Sequence, residues 1–172
     1  MSSPNTDPAI HLVLVTPEIP ANTGNIARLC AATAVPLHLV EPLGFALDSR
    51  IVRRAGMDYW KHCQHERHLT FEALEEAHPE GRFWFFSARA TRSLFAAPIQ
   101  SGDFLVLGPE STGLSREFLD RGRRREQTLV IPMPGQGRSL NLSTAAGIAV
   151  YEALRRQGRF APGTEGESSW PR

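Results

Sequence analysis

Short apolar runs alternate along this chain with segments of helical periodicity, and this alternation restricts the fold more than any other feature. Strands are predicted at residues 11–16, 37–40, 82–87, 104–107 and 128–131. Helices are predicted at residues 22–34, 48–55, 70–77, 115–121 and 143–157. Short buried strands separated by helices are typical of a parallel sheet with both faces covered. The sequence therefore predicts an α/β fold with a mostly parallel sheet flanked by helices.

One domain, residues 10–157, is expected to contain all of these elements, because a chain of 172 residues has the usual size of a single domain. Residues 1–9 and 158–172 are polar and rich in Pro, Gly or Ser, and they are predicted to be flexible tails. No apolar run approaches the roughly 18 residues of a membrane span, and the N-terminus has no secretory signal. The expected location is cytoplasmic, with no membrane partner.

Local arginine clusters are more informative than the net charge of +1. All but one of the 19 basic residues are arginines. A GC-rich genome is the favoured explanation of this excess, yet a neutral protein with local basic patches can still steer an anion. The two cysteines, Cys30 and Cys63, form no CxxC motif, which excludes a disulfide framework and a zinc ribbon.

Three loops, at residues 17–23, 108–114 and 132–142, follow predicted strands and precede predicted helices. Ligands of open parallel sheets bind beyond the carboxyl ends of the strands, so these loops form the candidate site. Asn22 and Arg28 flank the first turns of a helix, where an amide and a guanidinium can bind a sugar and a phosphate. From local sequence alone, a helix cap at Asn22 or Thr23 and an exposed arginine are the favoured interpretation.

The other two loops add glycines and polar side chains. Gly108 would let the backbone approach a ligand closely, and Glu110 follows it at the sheet edge, although a plain turn also fits. In the third loop, polar residues alternate with Leu140 and Leu142, which places the polar groups on one side. The polar residues are Ser139, Asn141 and Ser143.

Established nucleotide and hydrolase motifs are absent, including GxxxxGK[ST], GxSxG and HExxH. His62, His65 and His68 recur every three residues beside Cys63 and Glu66, which could hold a metal ion on one face of a helix. A solvated polar stretch is the favoured interpretation of this segment.

Taken in order, the three loops resemble the signature motifs of the SPOUT class of RNA methyltransferases. The segments NTGNIARLCAATAVPLHLVEPLGFALDSRIVRRAGMDYW, LGPESTGL and RSLNLSTAAGIAVYEALRRQ are similar to those of the TrmL (YibK) family, small bacterial enzymes that methylate the 2′-oxygen of the tRNA wobble nucleotide. The resemblance covers about residues 10–157 and is specific, because three separated motifs agree in order and spacing.

This resemblance implies a SPOUT α/β knot, whose C-terminal segment forms a deep trefoil knot, and a homodimer with the first and last helices in its interface. It implies S-adenosyl-L-methionine as methyl donor, with no metal expected, and the wobble pyrimidine of the tRNA anticodon stem-loop as substrate. The implied cofactor-binding residues are Phe86, Gly108, Ile131, Met133, Ser139 and Leu140. The implied catalytic residues are Asn22, Arg28, Glu110, Ser139 and Asn141.

Because the net charge of the chain is small, RNA binding must use local clusters of basic residues. The candidates for phosphate contacts are Arg50, Arg53, Arg54 and Arg138, with Arg155 and Arg156 as further candidates. Two alternatives remain open at this point. The first is a SPOUT enzyme that methylates another tRNA ribose or ribosomal RNA, and the second is a non-catalytic RNA-binding protein that has kept the fold.

Overall fold

The computed structural model describes residues 8–46 and 57–160. Its strands are β1 Ile10–Val15, β2 Leu37–Val40, β3 His65–His68, β4 Phe83–Phe86, β5 Asp103–Leu107 and β6 Thr128–Leu129. Its α-helices are α1 Pro20–Thr33, α2 Phe71–Ala77, α3 Arg116–Arg124 and α4 Leu142–Arg156, with 3-10 turns at Met57–Lys61 and Leu94–Ala96. The helix predicted at residues 48–55 lies outside the described residues.

The six strands form one sheet in the order β3-β2-β1-β5-β4-β6, and every described pair of strands is parallel. The predicted α/β fold with a parallel sheet is confirmed. β1 and β5 lie side by side at the centre, so the loops that follow them meet at one edge. The threading of a C-terminal trefoil knot stays a prediction.

Alternate residues of the central strands point to opposite faces, and each face is covered by two helices. Leu12, Leu14 and Leu105 pack against α1 and α4 on one face. Val13 and Val106 pack on the other face against apolar residues of α2 and α3. Both faces of the sheet are therefore buried, as the continuous apolar strands require. None of the helices in the described ranges is long and apolar enough to cross a membrane.

One predicted helix start differs from the structure, and two are confirmed. Neither Asn22 nor Thr23 caps α1, because the helix begins two residues earlier at Pro20, a residue whose fixed φ suits the first turn. Asn22 thus lies inside the helix, where its side chain is available to other partners. Asn141 caps α4 with its side-chain oxygen, and Thr70 caps α2 as predicted.

The segment His65–His68 is a strand at the edge of the sheet, not a helix face or an irregular polar stretch. β3 pairs with β2 in register, with Glu66 opposite His38 and His68 opposite Val40. Alternation along the strand places His65 on the other face from Glu66 and His68. A metal site on one helix face that includes His62, His65 and His68 is therefore excluded.

Candidate active site

Three loops meet at the carboxyl edge of the sheet and enclose a cleft of about 510 Å³. They follow β1, β5 and β6, in agreement with the loops that the sequence singled out. A cleft of this volume falls within the usual range for small-molecule and cofactor sites. Apolar walls come from Leu107, Ile131 and Leu142, among other residues.

All six predicted cofactor-binding residues line this one cleft. They are Phe86, Gly108, Ile131, Met133, Ser139 and Leu140. They come from the end of β4, from the loop after β5 and from the long loop between β6 and α4. Of the predicted catalytic residues, Asn22, Glu110, Ser139 and Asn141 line the same cleft.

The Glu110 carboxylate joins the loop after β5 to the start of α1. Its Oε2 accepts a hydrogen bond from the backbone N–H of Glu18 at 2.8 Å, and its Oε1 accepts one from the backbone N–H of Ile19 at 3.2 Å. The side-chain Nδ2 of Asn22 donates to the same Oε1 at 3.0 Å. Three donors from the first loop therefore fix the orientation of this carboxylate.

Asn22 extends this network to the third loop. Its Oδ1 accepts a hydrogen bond at 3.0 Å from Nδ2 of Asn141. Asn141 in turn accepts hydrogen bonds from the backbone N–H and the hydroxyl of Ser143, which hold its amide at the N-terminus of α4. The chain Glu110–Asn22–Asn141 thus links all three loops through side chains of fixed orientation.

Glu18 is a member of this site that the sequence analysis missed. Its carboxylate accepts hydrogen bonds at 2.9 Å from the backbone N–H and at 2.8 Å from the hydroxyl of Ser111. Glu110 on the second loop accepts hydrogen bonds from the first loop, and Glu18 on the first loop accepts hydrogen bonds from the second. Both carboxylates therefore hold the two loops together. A Pro-Glu pair follows both β1 and β5, at residues 17–18 and 109–110. This repeated pair is the sequence feature from which the role of Glu18 could have been predicted.

The backbone of the loop after β5 requires glycine at position 108, independently of any ligand. A Cβ atom at this position would lie 2.3 Å from the backbone nitrogen of Leu114 and 2.5 Å from the carbonyl carbon of Gly113. The loop after β5 folds back onto its own start, and only a residue without a side chain permits that approach. The tight turn brings Gly113 and Leu114 into the wall of the cleft.

Arg28 is the one predicted catalytic residue that the structure keeps away from the cleft. It is exposed, and its guanidinium carbon lies 4.8 Å from the centre of the Tyr59 ring. Arg28 follows Asn22 by six residues, which is about 240° around a helix, so the two side chains leave α1 on different faces. Within one chain, the side chains of Asn22 and Arg28 therefore cannot bind the same chemical group of a ligand.

The predicted RNA contacts fall into three groups. Arg50, Arg53 and Arg54 lie outside the described residues. Arg138 is exposed beside Ser139 at the cleft. Arg155 and Arg156 both approach the carboxylate of Glu152, at 2.8 Å and 3.7 Å, and part of their charge is thereby neutralised.

Residues 9–151 match the SpoU rRNA Methylase family. The chain belongs to this family. It is 44% identical over 149 residues to the tRNA (cytidine(34)-2'-O)-methyltransferase of Escherichia coli (strain K12), a match that covers 87% of this chain and 94% of the relative. The family assignment agrees with the resemblance seen in the three loop motifs.

Solved structures of the family share the fold. A structure described as giving insights into the 2-OH methylation of C/U34 on tRNA is 52% identical, with a TM-score of 0.81, and the match covers 86% of this chain and 95% of that chain. The SpoU methyltransferase AviRb from Streptomyces viridochromogenes, solved in complex with the cofactor AdoMet, is 22% identical with a TM-score of 0.72. That match covers 90% of this chain and 62% of AviRb, and it supports the fold alone.

Proposed function

We propose that this protein methylates the ribose 2′-oxygen of nucleotide 34, the wobble pyrimidine in the anticodon stem-loop of tRNA. The observation that carries the proposal is the convergence of three separated motifs on one cleft, tied together by the Glu110–Asn22–Asn141 network. Relatives that are 44–45% identical over most of their length bear the name of this activity.

The cleft suits an adenosyl group. Phe86, Leu107 and Ile131 offer apolar surface, and the glycine at position 108 brings backbone atoms to the wall without a side chain between. Phe86, Gly108, Ile131, Met133, Ser139 and Leu140 would hold S-adenosylmethionine. When bound, this cofactor would supply an electrophilic methyl group for the ribose 2′-oxygen and leave as S-adenosylhomocysteine, while the proton of the 2′-hydroxyl passes to the adjacent phosphate or to water.

The polar network acts by positioning. Both polar atoms of Asn22 are used inside the protein, one by Glu110 and one by Asn141, so this residue fixes the distance between the second and third loops. A displacement of a reacting group by about 1 Å can slow a reaction roughly 100-fold. Ser139 and Asn141 line the cleft, where the hydroxyl of Ser139 and the second amide hydrogen of Asn141 would orient the ribose.

Arg28 would supply positive charge to the 2′-oxygen or the adjacent phosphate. A guanidinium keeps its proton in proteins, so it stabilises negative charge and does not act as the base. Since Arg28 leaves α1 on a different face from Asn22, we assign its action to the cleft of a second copy of the chain. The proposed homodimer buries the exposed aromatic side chains Phe95, Tyr151 and Phe160, which lie on or beside α4.

Methyl transfer and nucleotide mapping test the proposed function. The purified chain is incubated with methyl-labelled S-adenosylmethionine and with tRNA that lacks methylation of its ribose groups, and the labelled nucleotide is then mapped. We expect a 2′-O-methyl pyrimidine at position 34, lost in Arg28→Ala and retained in Arg124→Ala. Arg124 is a matched control because it is an exposed arginine on α3.

The outcomes separate the alternatives. Label at another nucleotide would keep the chemistry and replace the substrate. Cofactor binding without label on any tRNA would favour ribosomal RNA as the substrate. Absence of cofactor binding by calorimetry would favour a non-catalytic RNA-binding protein.

Mixing of two inactive variants tests the shared site. Arg28→Ala and Asn141→Ala each remove one part, and subunit exchange creates dimers in which one of the two sites is complete. We expect the mixture to approach about one quarter of wild-type activity, as random pairing of subunits requires. A mixture as inactive as its components would place Arg28 and Asn141 in the same subunit's site, or exclude the dimer.

A further inference from the structure

A cluster of histidines lies on the sheet face covered by α2 and α3, and none of its members lines the cleft. His11 on β1 contacts His38 on β2, with 2.9 Å between Nδ1 and Nε2. His38 contacts His68 on β3, with 3.0 Å between Nδ1 and Nε2. His78, at the end of α2, lies beside both His11 and His38, with ring centres 5.5 Å and 5.3 Å away.

Glu66 adds a carboxylate to this cluster. Its Oε2 lies 4.0 Å from Nδ1 of His38 and 3.8 Å from Nε2 of His68. Ligand atoms of His38, Glu66 and His78 all lie within 4.8 Å of one another. Ligand atoms of a tetrahedral zinc site are about 3.3 Å apart, as metal–nitrogen distances of about 2.0 Å imply. The separations in the cluster reach up to 4.8 Å, so side-chain rotations would have to draw the ligand atoms together around the ion.

One nitrogen of the cluster has no protein partner. Nε2 of His78 is buried, and it makes no hydrogen bond with any described residue. Buried side-chain nitrogens are nearly always hydrogen-bonded, so an orphan beside two other potential ligand atoms points to a missing partner. A cation would satisfy it, because the lone pair of a neutral imidazole is a metal ligand.

We propose that His38, Glu66 and His78 bind a divalent transition-metal ion of the Zn²⁺ class, with His68 as the fourth ligand. Imidazoles with one carboxylate suit Zn²⁺, whereas Mg²⁺ and Ca²⁺ need sites rich in oxygen. His38 is 2% exposed and forms the floor of the site, while Glu66 is 55% exposed and leaves a path from solvent. His11 fixes the ring of His38 from behind, a common role for the partner of a ligating histidine.

The ion would serve the fold and take no part in methyl transfer. Its ligands come from β2, from the edge strand β3 and from the end of α2, so it would fasten the outer part of the sheet to the helix that covers it. An ion that binds only the folded chain raises the melting temperature, and the rise grows with the logarithm of the ratio of its concentration to its Kd.

Calorimetric titration with Zn²⁺ tests this site on the full chain, freed of any affinity tag and stripped of metal with a chelator. We expect one Zn²⁺ per chain and a melting temperature that rises with Zn²⁺. The variants Glu66→Gln and His78→Gln should each weaken Zn²⁺ binding at least tenfold and remove most of the rise. Glu66→Gln is the primary variant because this exposed side chain can change without disturbing the core.

His62→Gln is the matched control. This histidine precedes β3 by three residues and belongs to the pattern that the sequence suggested, yet it is not among the proposed ligands. Its variant should bind Zn²⁺ as the wild type does. Affinity unchanged in both Glu66→Gln and His78→Gln, or loss of binding in His62→Gln, would overturn the site. So would the lack of any saturable binding, which would leave the cluster as a hydrogen-bonded histidine network.

Discussion

Asn22 shows how one buried amide can organise a site made of distant loops. It is 6% exposed, it lies in the first turns of α1, and it donates to Glu110 while accepting from Asn141. An uncharged amide offers a donor and an acceptor on one rigid plane. An acid at this position would place a second carboxylate oxygen 3 Å from that of Glu110, and an apolar residue would remove one hydrogen bond from Glu110 and one from Asn141.

Two substitutions of Asn22 test this account. We expect Asn22→Ala to lower the free energy of unfolding by about 1–3 kcal/mol, because two hydrogen bonds worth about 0.5–1.5 kcal/mol each are lost. Asn22→Asp should lower it further despite its equal size, because like charges then face each other. Urea denaturation ranks the variants, and single-turnover methyl transfer should fall roughly 100-fold in both. An Asn22→Asp variant more stable than Asn22→Ala would contradict the argument.

The buried histidines predict that the metal-free protein loses stability in mild acid. Burial, together with the charges of neighbouring histidines, lowers the pKa of His38 to about 3 and that of His11 to about 4. The groups around His38 are His11 from β1, Glu66 and His68 from β3, and His78 after α2. In the unfolded chain these histidines titrate near their ordinary value of about 6.5.

Below pH 6.5 the unfolded chain therefore binds protons that the folded chain does not, and folding becomes less favourable as the pH falls toward 4. His38 alone should lower the free energy of unfolding by about 2 kcal/mol between pH 8 and pH 5. Urea denaturation in the presence of a chelator measures this, and the dependence on pH should be shallower in His38→Gln. A constant free energy of unfolding over this range would refute the assignment.

At the scale of elements, the apolar strands were predictable and the polar strand was not. Residues 37–40 are four apolar or weakly polar residues between turn signals, and β2 has those bounds. β3 consists of His, Glu, Arg and His, which carry no apolar alternation, and it forms because β2 offers an open edge for hydrogen bonding. Its pairing is a tertiary effect, so local sequence could not reveal it.

One part of the candidate site was likewise predictable from the sequence, and another part was not. The three loops were predicted from the alternation of strands and helices, and the six cofactor-binding candidates were implied by the family resemblance; they share one cleft. The separation of Arg28 from Asn22 also follows from sequence, since six helical residues do not return to one face. The reciprocal contacts of Glu18 and Glu110 depend on β1 and β5 being neighbours, which no local pattern states.

The loop after β5 should not tolerate any side chain at position 108. We expect Gly108→Ala to lower the free energy of unfolding by about 1–3 kcal/mol, because its Cβ would overlap backbone atoms of Gly113 and Leu114. The displaced loop should also weaken cofactor binding, measured by calorimetry. Gly147→Ala is the control: nothing lies within 4 Å of a Cβ there, and a helix interior gains up to about 1 kcal/mol from the change. Equal stability of the two variants would contradict this picture of the loop.

At the scale of the whole molecule, most arginines within residues 8–46 and 57–160 lie close to carboxylates. Arg121 pairs with Glu72 and Glu75, and Arg155 pairs with Glu152. A nearly neutral protein of this kind attracts RNA through the few arginines left unmatched near its site. Arg138 is such a residue, because it is exposed beside the cleft.

Salt dependence of tRNA binding measures that contribution. We expect Arg138→Ala to reduce the slope of log affinity against log salt by about one unit, as the loss of one phosphate contact predicts. Arg124→Ala should leave the slope unchanged, since this arginine lies on α3. Filter binding between low and moderate salt gives both slopes. Equal slopes in Arg138→Ala and the wild type would remove Arg138 from the RNA interface.

The network of Asn22 also sets an order of events during synthesis. Its partners Glu110 and Asn141 are 88 and 119 residues away along the chain. A growing polypeptide therefore has its first loop long before the residues that complete the cleft have been translated. Chains that stop before residue 141 would lack α4 and the side chain that joins the third loop to Asn22. The complete cleft therefore forms only after the third loop has been translated.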